Sequence, residues 1–102
     1  MKLPIAGFEW DDGNVSKCQK HGLPLSEIEE FLRQDGNRIV ADFKHSGRQE
    51  QRIIAAGPLG NKLVVVGFTL RSRESGIFIR PISARYMREK EAKSYEQKTT
   101  QD

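Results

Sequence analysis

At 102 residues, 36% hydrophobic and 30% charged, the chain has material for one domain with a modest core. No apolar run approaches the ~20 residues of a membrane helix and no secretory segment is evident, while a single cysteine, Cys18, excludes an internal disulfide and fits the reducing cytoplasm. Cys18, His21 and His45 are too few and too badly spaced for a structural zinc site, and no cofactor is expected. The net charge of +3 is unevenly spread: residues 1–61 hold 8 Lys/Arg against 9 Asp/Glu, residues 62–102 hold 9 against 5. A basic C-terminal half points to an acidic partner, nucleic acid or protein, or else serves only solubility.

In chain order, Gly7-Phe8-Glu9-Trp10 predicts a short aromatic strand. Asp11 or Asp12 caps a helix over about Asn14–His21, which Gly22 ends. Ser26 and Glu29 form a capping box for a second helix with the apolar stripe Leu25, Ile28, Phe31 and Leu32. After the turn Asp35-Gly36-Asn37, a strand over Arg38–Phe43 sets Ile39, Ala41 and Phe43 on one face. A polar turn, Lys44–Gly47, leads to a strand over Glu50–Ala56 with Glu50 and Arg52 on the same side, and then to a turn at Pro58–Asn61. The valine-rich run from Leu63 to Arg71 and the run Ile77–Ile82 form a central β-hairpin around the turn Ser72–Gly76. Ser83 caps a last helix over about Ala84–Gln97, in which Glu89 and Lys93 pair at i,i+4. The order is strand, two helices, four strands, helix. This is an α+β fold with a mainly antiparallel sheet of four to five strands, a single domain over residues 1–97 and a flexible tail over 98–102.

Four groups of residues carry chemistry. Lys20-His21-Gly22 reads as a helix C-cap or as a proton-transfer and phosphate site. His45 with Glu50 and Arg52 reads as an acid–base group or as a solvated turn with an ion pair. Arg71, Arg80 and Arg85, concentrated on one short segment, suit phosphate through their planar forks, or form an ion network inside the sheet. Arg80 lies between Ile79 and Pro81, so it needs an answering anion, and Glu50 is the expected carboxylate. Trp10, Phe68 and Tyr86 are rings that pack in the core or stack on unpaired bases.

The series from Phe8 to Asn14, then Lys20-His21-Gly22, His45, Glu50, Phe68–Arg71, and Ile79–Tyr86 with Glu91 and Tyr95 resembles the BrnT toxins of bacterial type II toxin–antitoxin systems. Arg80-Pro81-Ile82-Ser83-Ala84-Arg85-Tyr86-Met87 is the most specific segment, and the likeness spans about residues 7–97. The resemblance implies a RelE-like fold and a ribonuclease that blocks translation. It also implies a hetero-oligomer with a BrnA-like antitoxin, whose ribbon-helix-helix part alone touches operator DNA. Under that reading His45, Glu50, Arg71 and Arg80 are the candidate catalytic residues of a metal-independent endoribonuclease. Arg52, Arg85, Tyr86, Trp10, Lys20 and His21 are candidates for holding RNA. The alternative is a non-catalytic module of the same fold that binds RNA or antitoxin.

Overall fold

The computed structural model describes residues 4–47 and 50–100; of His45 it describes the backbone alone, so the proposed acid–base role of that side chain lies outside the described residues. The expected element order is observed, apart from an added short 3-10 turn. Strand β1 is Gly7–Phe8, helix α1 is Asp12–Gln19, helix α2 is Leu25–Arg33, and β2 is Arg38–Ala41. Strands β3, Ile53–Leu59, β4, Lys62–Arg73, and β5, Gly76–Tyr86, precede helix α3, Glu89–Thr100. The sheet runs β1-β5-β4-β3-β2; β1 is parallel to β5 and the other pairs are antiparallel. No helix of the described residues is long and apolar enough to cross a membrane.

Local chemistry explains each N-terminal element. Asp11 caps α1, its Oδ1 accepting from the Gly13 and Asn14 amides, while Asn14 Oδ1 accepts from the Asp11 amide at 2.7 Å. Asn14 is buried, and its amide nitrogen also donates to the carbonyls of Glu9 at 2.9 Å and Pro81 at 2.8 Å. One side chain therefore ties α1 to the chain after β1 and to the outer edge of β5. Gly22, at φ 87°, turns the chain after α1.

The capping box expected at Ser26 is absent. Helix α2 starts two residues earlier, at Leu25, with Pro24 at the N-cap and no side-chain cap bond. Proline already holds the φ needed there, and the Glu29 carboxylate is instead engaged by the Trp10 indole N–H at 2.7 Å. Ile28, Phe31 and Leu32 bury the expected stripe. Cys18, Leu23, Ala55, Val64, Val66, Phe68, Ile79 and Ala84 complete the core beneath the two helices, with Leu25 and Trp10 packed at its margin.

The sheet corrects four boundaries. Strand β2 ends at Ala41, and Phe43 lies in the 3-10 turn Phe43–His45, 83% exposed, instead of continuing the strand. Ile39 and Val40 are also exposed, because β2 is an edge strand with little above or below it. Strand β3 begins at Ile53, after Glu50 and Arg52, and runs through Pro58 and Leu59. Ser83 does not cap a helix; β5 continues to Tyr86. Val64, Val65, Val66 and Gly67 offer a ladder to Tyr86, Arg85, Ala84 and Ser83, and this pairing outweighs the local capping tendency of one serine. Helix α3 accordingly begins at Glu89 and runs to Thr100, and residues 101–102 lie outside the described residues.

Candidate active site

One face of the sheet is covered by α1 and α2; the other carries the arginines. The reason is a bulge. Val65 pairs with Arg85 and Gly67 with Ser83, but Phe68 pairs with Pro81 and Thr69 with Arg80, so Ile82 is an extra residue on β5. In an unbroken strand Arg80 and Arg85 would point to opposite faces. The extra residue reverses the alternation, and Arg71, Arg80, Ser83 and Arg85 all come to the open face.

Arg52, just before β3, lies flat on that face over Gly67. A Cβ on Gly67 would stand 2.9 Å from Ser83 Oγ and 3.2 Å from Arg52 Nε and Nη2, so glycine makes this close approach possible. Arg52 Nη2 donates to Ser83 Oγ at 3.1 Å, and Arg52 Nε is 3.8 Å from Asp42 Oδ2. Among the described residues Arg52 Nε and Thr69 Oγ1 are buried without a hydrogen-bond partner.

The hairpin arginines are answered by carboxylates, in a different pairing from the one expected. Glu50 holds Arg71, with contacts at 2.7 and 2.8 Å. Arg80 instead binds Asp11, at 2.9 and 3.1 Å, which joins the α1 cap to the sheet. The Arg80 guanidinium holds the Asp11 carboxyl below its usual range. Topology alone favoured Glu50 for Arg80, but α1 packs at the open edge of β5 and brings its capping aspartate closer. Arg85 is held by Glu91 of α3 through two bonds of 2.7 and 2.8 Å, and this fork lowers the Glu91 carboxyl to about 2.

Beside this framework the end of α1 meets β5 in a pocket of about 350 Å3, lined by Lys17, Lys20, His21, Arg52, Ile82, Ser83, Ala84 and Arg85. No carboxylate lines it, and Lys17, Lys20 and His21 have no side-chain partner among the described residues. The structure thus brings Lys20 and His21 to Arg52 and Arg85, a juxtaposition that nothing in their sequence separation announces. Lys17 and Ser83 are pocket residues that sequence reasoning missed. Lys17 was legible in principle, since it sits one helical turn before Lys20 and His21.

The remaining candidates fall elsewhere. Trp10 is packed against the core and bonded to Glu29. Tyr86 pairs with Val64, on the face that the helices cover, in a shallow depression with Glu27, Glu30 and Lys62.

The family model for BrnT, the ribonuclease toxin of type II toxin–antitoxin systems, matches residues 10–91. The chain belongs to this family. The match contains both N-terminal helices, β2 to β5, every residue of the cationic pocket and the Arg85–Glu91 fork. Comparison with individually curated proteins gives no match. For a ribonuclease toxin, a pocket with several cations and no acid is the expected electrostatic complement of a phosphodiester.

Proposed function

We propose that this BrnT-family chain is a metal-independent endoribonuclease whose reaction takes place in the pocket between α1 and β5. The observation that carries the reading is the gathering of Lys17, Lys20, His21, Arg52 and Arg85 around a space that no carboxylate enters. RNA brings its own nucleophile. Its 2′-oxygen forms a bond to phosphorus, the bond to the 5′-oxygen breaks, and a 2′,3′-cyclic phosphate is left. The reaction needs a base for the 2′-hydroxyl proton, an acid for the 5′-oxygen, and cations for the charge that builds on phosphorus. In the proposed arrangement His21 takes the proton, Lys20 gives one to the leaving oxygen, and Arg52 and Arg85 hold the non-bridging oxygens. Arginine keeps its charge at any ordinary pH, so it stabilises rather than protonates. Arg71 and Arg80 do not line the pocket; bound to Glu50 and Asp11, they frame the face and hold the Glu50 segment and α1 in place.

The toxin is proposed to block translation by this cleavage, and to be silenced by a BrnA-like ribbon-helix-helix antitoxin that covers the basic face. The decisive test is digestion of RNA by the purified protein in EDTA. Products ending in 2′,3′-cyclic phosphate are expected. Lys20→Ala and His21→Ala should each cut the rate by about 100-fold or more while keeping the melting temperature, and Arg33→Ala, on the far helix, should change little. Binding without cleavage would restore the non-catalytic module, and full activity in His21→Ala would remove the histidine from the reaction.

A further inference from the structure

The open face holds a second hollow. It is a cleft of about 600 Å3 between α3 and the sheet, and Arg85 lines it as well as the cationic pocket. Its floor is the half-buried apolar surface of Ile54, Ala56 and Val65. This floor exists because α3 lies off the sheet, anchored by Arg85–Glu91 and by Arg38, whose guanidinium stands 5.4 Å from the centre of the Tyr95 ring. The walls are cationic. Arg88 and Lys90 are exposed and carry no side-chain ion pair among the described residues, and Glu91, the acid in the lining, is already spent on Arg85 and the Arg88 amide. An apolar floor, an aromatic wall and uncompensated cations are the features that hold a nucleobase together with its phosphate.

We infer that this cleft binds the nucleotide next to the scissile phosphate, with its base against Ile54, Val65 and Tyr95 and its phosphate at Arg88 and Lys90. The inference rests on the proposed ribonuclease reading for the location of the scissile phosphate. Its occupant is fixed independently, by the charge of the walls and by continuity with the cationic pocket through Arg85. Substrates long enough to fill the cleft are therefore bound better than substrates that reach only the pocket.

The test compares an RNA dinucleotide with a hexanucleotide containing the same scissile step, and adds direct binding of an uncleavable 2′-O-methyl hexanucleotide. The wild type should favour the hexanucleotide by about 10-fold or more in kcat/KM, mainly through KM. Arg88→Ala/Lys90→Ala, at two exposed positions, should erase most of this advantage and leave dinucleotide cleavage unchanged. Equal effects on both lengths, or no effect on either, would overturn the cleft as a subsite. If the wild type cleaves neither substrate, the ribonuclease reading fails, and the binding measurement still decides the cleft. A loss of about 10-fold in hexanucleotide affinity in the double variant supports it, and unchanged affinity overturns it. Unchanged RNA binding together with loss of antitoxin binding in the double variant would assign the cleft to the antitoxin instead.

Discussion

Asn14 is the residue on which the junction of α1, β1 and β5 turns. Removing its side chain leaves the Glu9 and Pro81 carbonyls without their donor and the Asp11 amide without its acceptor. Asn14→Ala should therefore cost about 2–4 kcal/mol, read from the urea midpoint, since each buried group left unpaired costs about 1–3 kcal/mol. Phe43 makes the opposite case. A phenylalanine looks like core in a sequence, yet here it is 83% exposed, so Phe43→Ser should change stability by no more than about 0.5 kcal/mol. Cys18 is fully buried, and burial pushes its thiol up to about 11. It should be inert to thiol reagents at pH 8 in the native protein and react once the chain unfolds; rapid native labelling would show that α1 opens readily.

Helix α3 is tied to the sheet by the Arg85–Glu91 fork and by Arg38 against the Tyr95 ring. Glu91 titrates at about 2 in the folded protein against an ordinary value of 4.5, because Arg85 grips it with two hydrogen bonds. A depressed folded value means that the ion pair contributes its full stabilisation above about 4.5 and loses it as the pH falls towards 2. Resonances of α3, Tyr95 among them, should therefore shift through that acid window before the sheet unfolds. In Glu91→Gln the shift should be absent, and the helix should already be loosened at pH 7. An α3 that holds its position at pH 2 would show that Arg38 and Tyr95 suffice. The boundary between β5 and α3 follows the same logic of contacts over propensity. Ser83 reads as a cap in isolation, but its partner Gly67 and its neighbours on the valine ladder keep it in the strand, where its hydroxyl serves Arg52.

Over the whole molecule, the +3 charge matters less than its placement. Carboxylates answer Arg71, Arg73, Arg80 and Arg85, while Lys17, Lys20, His21, Arg88 and Lys90 are left without a side-chain ion pair among the described residues. RNA affinity should accordingly fall with salt, log K changing by about −0.7 per phosphate contact for a single strand. Lys20→Ala should flatten that slope by about one contact, and Lys93→Ala, on the outer side of α3 in its pair with Glu89, should leave it alone. A salt-independent affinity would mean that the basic surfaces do not meet the phosphate backbone.

The sequence made legible the element order, the hairpin, the buried stripe of α2 and the concentration of cations in the C-terminal half, because periodicity, glycine turns and charge are local properties of the chain. It also carried the family, through residues such as Arg80–Met87 whose identities are unusual for a strand. It did not determine which face each arginine takes. That depends on one extra residue at Ile82, whose presence is defined only against the opposite strand. Nor did it determine that Lys20 and His21, more than 30 positions before Arg52 and more than 60 before Arg85, line the same pocket. Ion-pair partners such as Asp11 for Arg80 are chosen by distance in space after α1 has packed on the edge of β5. The pocket is therefore a property of the packed sheet and helix together, and only the tertiary structure could place it.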